Sequence, residues 1–480
     1  HPTPALGSLD GDILTYEPTN DGASIVYVAR EKIGKGLYVA QVDDPTSAVR
    51  LTGDDNLQIN LALAPDSQRA AYCVFAPTHA NNDLYSLPLD GSTSPVRLSG
   101  TLVSAGAVQP GFAFTPDSQR VVYLADAEVD GRFELYSALA DGSGVPVKLS
   151  GTLVANGDVT SFRIAADSAR VVYLADQDLD ARPELYGAPV DGSSAPVRLN
   201  GTLPLSCQVR DDYLVSPDGA SVFYRADESV LASPELFVAP IDGSAAATKL
   251  NGALPSGGLV DNFRLSVAGT LVVYHAKQDV SSRFDLYAVP ADGSAAAVKL
   301  DGTLVSGGNV GGYALTDDGA NVVFDADLAV NDRFEVFSVP SDASAAPVRV
   351  HPALSGSNDA GLLLLTPDGA RVLYSLSNGP GTPANVFTTP RDASAAPVRL
   401  NETFLQGRGT RGLLVSPDSA TVVYASDEEH DNRFELYSVP SDGSTPRVKI
   451  SGLMTPQGGV EQTFRISQDS THAFFIADRE

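Results

Sequence analysis

The feature that most constrains this chain is a pattern of about 50 residues written nine times over. One copy reads Thr115-Pro116-Asp117-Ser118-Gln119-Arg120-Val121-Val122-Tyr123, then Glu134-Leu135-Tyr136-Ser137, then Asp141-Gly142-Ser143 and Val147-Lys148-Leu149. Further copies begin near Ala165, Val215, Leu265, Leu315, Leu365 and Val415. A unit this short cannot bury its apolar face alone, so it stacks on its neighbours. Units made of short strands and tight turns predict an all-β fold, a β-propeller of four-stranded antiparallel blades.

The repeat leaves no room for a separate domain. Residues 1–480 read as one propeller, with repeats near 1–53, 54–104, 105–154, 155–204, 205–254, 255–304, 305–354, 355–404 and 405–454, and a half repeat over 455–480. The last stretch, Phe464-Arg465-Ile466-Ser467 and Ala473-Phe474-Phe475-Ile476, supplies only two strands. The count is therefore about nine blades, or ten with one incomplete. In the nine-blade form, the outer strands of the first repeat complete the C-terminal pair. An open arc joining molecules end to end is a third arrangement.

Within a repeat, the first strand runs into a Pro-Asp-Ser or Pro-Asp-Gly turn, as at Pro116 and Pro217. The second, Val121-Val122-Tyr123-Leu124-Ala125, is apolar on both faces and predicts burial between blades. The aromatic of the second strand stands 13 residues before that of the third in Tyr72/Tyr85, Tyr123/Tyr136, Tyr173/Tyr186, Tyr224/Phe237, Tyr274/Tyr287, Phe324/Phe337, Tyr374/Phe387 and Tyr424/Tyr437. A core layer explains these rings better than a ligand-stacking ladder does. The fourth strand always carries a basic residue, among them Arg97, Lys148, Arg198, Lys299, Arg349 and Lys449, which reads as protection of an exposed edge.

The string [Ser/Thr]-Pro-Asp-[Ser/Gly]-x-x-Val-Val-Tyr, followed by Glu-Leu-Tyr and Asp-Gly-Ser, resembles the TolB-type, WD-like β-propeller repeat. The resemblance covers nearly the whole chain. It implies the fold strongly and an activity weakly, because that family includes periplasmic interaction modules, propellers attached to serine peptidases, and surface proteins without known activity. The loop before Glu-Leu-Tyr is longer here than in that family, and the repeats outnumber its usual six to eight.

Asp and Glu total 59 against 32 Lys and Arg, a formal net charge of −27. Such a field repels phosphate backbones and anionic membrane surfaces, so nucleic-acid binding is disfavoured. No stretch has the apolar length of a membrane-spanning helix, so no membrane insertion is expected. The chain starts at His1 with no charged-then-apolar leader, which fits a processed product of a secreted, periplasmic or cell-surface protein. Cys73 and Cys207 lie in repeats that are not neighbours, so two separate thiols are expected.

Successive turns of an antiparallel blade alternate between its two ends. The Pro-Asp and Asp-Gly turns therefore share one face, and the long second-to-third loops share the other, where binding is expected. Those loops carry oxygens at alternate positions: Asp126, Glu128 and Asp130; Asp176, Asp178 and Asp180; Asp427, Glu429 and Asp431. Alternate oxygens suit a hard cation, so Ca2+ is the one candidate cofactor, with these nine residues its candidate ligands. They lack the Gly and distal Glu of an EF-hand. The competing expectation is ion pairing with Arg132, Arg182, Arg283, Arg333 and Arg433 beside them.

After the second-strand aromatic, three successive repeats place Arg225, His275 and Asp325. They are candidate catalytic residues, or a polar network tying blades together. No Gly-x-Ser-x-Gly elbow, His-Glu-x-x-His or Cys-x-x-Cys appears. The leading expectation is a non-enzymatic scaffold presenting its acidic loop face to a protein or glycan. The alternatives are a lyase or hydrolase acting on a carbohydrate or ester with a cation near the pore, and a self-assembling surface protein.

Overall fold

The computed structural model describes residues 13–30, 34–53, 57–76, 81–356, 358–377, 379, 382, 384–402, 409–455 and 458–477. Among these residues there are strands and turns and no helix. Nine four-stranded antiparallel sheets and one two-stranded sheet follow in chain order, over residues 13–53, 57–97, 113–148, 159–198, 214–249, 260–299, 310–349, 359–399, 410–449 and 460–477. We number them blades 1 to 10. The first repeat keeps its own outer strands, because Tyr16 pairs with Tyr27 and Tyr27 with Tyr38 in one continuous register. The C-terminal pair is thus a tenth, two-stranded sheet and takes no outer strands from the first repeat.

The chain divides into two compact units, Thr3–Thr248 and Lys249–Glu480. Blades 1 to 5 belong to the first and blades 6 to 10 to the second. Every four-stranded blade uses the same sequence logic. In blade 4 the strands are Val159–Ile164, Arg170–Ala175, Glu184–Pro189 and Val197–Arg198. The second is β-branched and aromatic, and from Val171 to Ala175 it is buried on both faces. Burial of such a side chain contributes about 1.5–3 kcal/mol, so the middle strands carry most of the stability.

Tyr173 lies directly opposite Tyr186, with their rings stacked 5.4 Å apart. The same stacked pair recurs from Tyr27/Tyr38 to Tyr424/Tyr437. The aromatic ladder is core. Neighbouring blades interleave on it: Leu124, Leu135 and Leu149 of blade 3 pack with Val171, Tyr173 and Tyr186 of blade 4. Cys73 and Cys207 are buried free thiols.

The Ser-or-Gly choice in the Pro-Asp turn decides how blades meet. Ser67, Ser118, Ser168, Ser419 and Ser470 all have left-handed backbones, with φ between 59° and 66°. That conformation costs a non-glycine residue about 1 kcal/mol. Each serine Oγ accepts a backbone N–H from the turn of the preceding blade, from Asn20, Asp66, Asp117, Asp368 and Asp418 at 2.9–3.0 Å. Where the turn holds glycine the neighbour stands close: a Cβ would lie 3.3 Å from Ala165 Cβ at Gly219 and 3.2 Å from Ser266 Cβ at Gly319. A Cβ on Gly369 would lie 2.8 Å from Thr316 Cγ2.

Candidate functional site

Four of the long second-to-third loops are locked by their first acid. Asp126 accepts the N–H of Ala107 from the segment entering its blade and, through Oδ2, that of Gly131 at 2.8 Å from its own loop. Asp176 does the same with Asp158 and Ala181, Asp327 with Asn309 and Asp332, and Asp427 with Gly409 and Asn432. Both carboxylate oxygens are thus committed to backbone donors. A second bond closes each tip: Arg132 N–H to Val129 O at 3.0 Å, Arg182 to Leu179 at 3.2 Å, Ser233 to Val230 at 3.2 Å. At these tips Val129, Leu179 and Val230 are 45%, 43% and 61% exposed.

The other loop acids take different partners. Glu128, Asp178 and Glu429 reach the basic residues of the fourth strand, Lys148 at 3.0 Å, Arg198 at 4.0 Å and Lys449 at 2.6 Å. Asp130, Asp180 and Asp431 stay exposed. Among the described residues no three His, Cys, Asp or Glu side chains are grouped so as to hold a metal ion.

Among the described residues, four of the recurring arginines pair away from the loop acids. Arg132, Arg182, Arg283 and Arg433 instead contact the acid that opens the third strand, two residues on: Glu134, Glu184, Asp285 and Glu435, at 2.9–3.7 Å. The reason is geometric, since the loop turns back at its tip and lays the arginine along the strand it enters. These carboxylates are fully buried or nearly so. Each also meets the fourth-strand cation that faces it, Lys148, Arg198, Lys299 or Lys449, at 2.5–3.4 Å. Arg97–Asp83 and Arg349–Glu335 repeat the pair. The fourth-strand cation is therefore the counter-ion of a buried carboxylate as well as a charge on an edge. The recurrence of an acid 14 residues before each of these cations was the available signal.

Two residues after the cation, a further side chain caps the third strand. Ser99, Ser150, Asn200, Asp301, His351 and Asn401 accept the backbone N–H of Leu84, Leu135, Leu185, Leu286, Val336 and Val386. Asp301 is the only carboxylate among these six. It is wholly buried, and its Oδ2 has no hydrogen-bond partner. Burial pushes its pKa up to about 7, against the opposing pull of the Leu286 N–H and Lys299, and Asp285 beside it adds to the rise.

Arg225, His275 and Asp325 are each engaged separately. Arg225, in the first unit, pairs with Asp212 of its own blade at 2.7 Å. In the second unit, His275 Nε2 lies 3.0 Å from the carbonyl of Val310 on the next blade. A carbonyl only accepts, so Nε2 carries the proton. Its Nδ1 lies 3.2 Å from Asp261 Oδ2, and its ring stacks on Phe284 at 4.5 Å. Asp325 accepts the N–H groups of Gly312 and, on the next blade, Leu362, at 2.9 and 2.8 Å. Burial holds its carboxyl above the usual range despite those bonds. Among the described residues no hydrogen bond joins His275 to Asp325. Both fasten neighbouring blades. Asp212 and Asp261, the acids that Arg225 and His275 draw on, carried no periodic signal.

No family model matches the chain, and no curated protein matches it. Solved structures do. A eukaryotic initiation factor aligns over 89% of this chain and 96% of its own at 10% identity, with a TM-score of 0.52. Tricorn protease aligns over 91% of this chain at 13% identity and a TM-score of 0.35, and the chain spans 46% of its length. An oligogalacturonate lyase from Vibrio parahaemolyticus aligns over 81% of this chain and 97% of its own, at 12% identity and a TM-score of 0.37. At such identities the likeness is one of fold. The fold is a β-propeller.

Proposed function

We propose that this chain is a secreted or periplasmic interaction scaffold of the TolB-like kind, which presents its acidic loop face to a protein or glycan partner. The observation that carries this reading is the double fastening of four of the long loops by their first acids, Asp126, Asp176, Asp327 and Asp427. Loops of this length are ordinarily mobile, and a loop fixed in advance loses little entropy when a partner docks. The three polar residues that most resembled a catalytic set are each used to hold backbone or a neighbouring acid, which also supports a scaffold. A propeller enzyme acting on a carbohydrate or ester is the second reading. It would act at the contact between His275 and Asp261, 3.2 Å apart.

The two readings separate in one experiment. The chain is screened against glycan and protein panels, and against ester, lactone and uronate substrates, with Asp176→Ala and His275→Ala as variants. Binding lost in Asp176→Ala without turnover supports the scaffold. Turnover lost in His275→Ala overturns it.

A further inference from the structure

A single exposed valine means nothing, because folded proteins expose many apolar atoms. Here the same position is aliphatic in five successive blades: Val129, Leu179 and Val230 in the first unit, Val280 and Val330 in the second. In every case its carbonyl accepts the N–H three residues on, at 3.0–3.2 Å, so it opens a closed turn at the outermost point of the loop. The turn explains the backbone of that position. It does not call for an apolar side chain, and a polar residue there would be better solvated.

In the first unit the three tips belong to consecutive blades that are tied together at this end. Phe133 donates its N–H to Asp158, and Val159 and Val209 donate theirs to the carbonyls of Phe133 and Pro183. Acids flank the first two tips, and the exposed Leu231 stands beside the third. Glu128 and Asp178 are each 52% exposed although they reach a fourth-strand cation, and Asp130 and Asp180 are exposed. The surface is a row of rigid aliphatic points separated by carboxylates. Its complement alternates or interleaves apolar side chains with lysine or arginine.

We propose that the loop face of blades 3 to 5 is a docking row for a basic, amphipathic polypeptide segment, seated on Val129, Leu179 and Val230 and paired with Asp130 and Asp180. This rests on the scaffold reading above and narrows its partner to a cationic protein segment. Both halves of the row are needed: aliphatic points alone favour no charge, and acids alone favour any polycation.

The test uses the whole chain and three synthetic peptides of equal length, built from Lys and Leu, Lys and Ser, and Glu and Leu. Titration calorimetry is run at low and high salt on the native chain, on Val129→Ser/Leu179→Ser/Val230→Ser, and on Asp130→Asn/Asp180→Asn. Melting curves confirm that the substituted chains fold, as exposed tip residues should allow. The expected result is binding of the Lys–Leu peptide at least tenfold tighter than that of the other two, weakened at least tenfold by either set of substitutions. Equal binding of the Lys–Leu and Lys–Ser peptides would overturn the proposal. Absence of Lys–Leu binding would overturn it as well. A glycan array run on the same three chains keeps the two readings apart. A glycan lost in the substituted chains would leave the scaffold standing without this partner, and no loop-dependent ligand of either kind would remove both.

Discussion

Ser118 Oγ accepts the backbone N–H of Asp66 at 3.0 Å, across the seam between blades 2 and 3. The serine holds a φ of 63° to do so. Ser118→Ala keeps the strain and loses the bond, and should cost about 1–2 kcal/mol. Ser118→Gly loses the bond and relieves the strain, and should cost about half as much. Urea unfolding of the two variants measures the difference. Equal stability of alanine, glycine and serine at this position would show that the clasp contributes nothing.

The buried carboxylates predict a contrast between blades. Lys148→Ala leaves the fully buried Glu134 with only Arg132 at 3.7 Å and the Tyr136 hydroxyl, and should cost about 2–4 kcal/mol. In blade 8 the acid is replaced by Asn385, and Arg399 donates to the carbonyl of Asn401. Arg399→Ala should therefore cost under about 1 kcal/mol. Thermal melts of both variants under one buffer are sufficient. Equal losses would mean that the cations act through edge solvation alone.

Asp301 makes stability depend on pH. Its folded pKa, about 7, lies above the ordinary carboxylate value near 4, so the folded state holds a proton that the unfolded chain releases. The unfolded state then binds fewer protons, and this group's contribution to stability falls as pH rises from about 4 to about 7. Asp301→Asn keeps the acceptor for Leu286 N–H, as Asn200 and Asn401 do for Leu185 and Val386. The variant should be more stable than the native chain by about 1–3 kcal/mol at pH 8, with the gain shrinking toward pH 4. Denaturation at several pH values checks it, and a gain independent of pH would dismiss the titration.

The thiols should be silent. Cys73 and Cys207 are each 1% exposed, and burial pushes the Cys73 thiol up to about 12. A thiolate is the reactive species, so a colorimetric thiol reagent at pH 8 should modify neither residue within minutes, and both within seconds in denaturant. Rapid labelling of the native chain would place one of them on an opening segment.

Chelation probes the acidic loops. Asp126, Asp176 and Asp427 already give both oxygens to backbone donors. Elemental analysis should find no stoichiometric calcium, and a chelator should leave the melting temperature within about 2 °C, less than the effect expected of a ligand lost from 100-fold saturation. A large drop would restore the cation reading of Asp126, Glu128, Asp130 and their counterparts.

Much of the fold was legible because its signals are periodic. The paired aromatics, the two-faced apolar second strand and the turn residues recur at fixed spacing, and recurrence averages out local ambiguity. The site was less legible, for two reasons. Residue type announced charge but not direction: Arg132 stands beside Asp130 in sequence, yet its guanidinium lies along the third strand against Glu134. The residues that partner Arg225 and His275 are Asp212, just before the strand Leu214–Val215, and Asp261, within Val260–Leu265, where the sequence varies from blade to blade. The Ser-or-Gly alternation was visible as a pattern, but its meaning depends on how closely two turns approach, a distance no single repeat encodes.

That alternation divides the seams into two kinds. At the turns of Ser67, Ser118, Ser168, Ser419 and Ser470 the seam carries a serine tether, whereas the turns of Gly219, Gly319 and Gly369 lack it, and their seams are bridged elsewhere by Arg170–Ile241, His275–Val310 and Asp325–Leu362. Amide hydrogen exchange at the turns should then be graded along the chain, faster at the glycine turns, which lack the serine tether. Within each unit the molecule would breathe at designated places, as a folding screen does at its hinges.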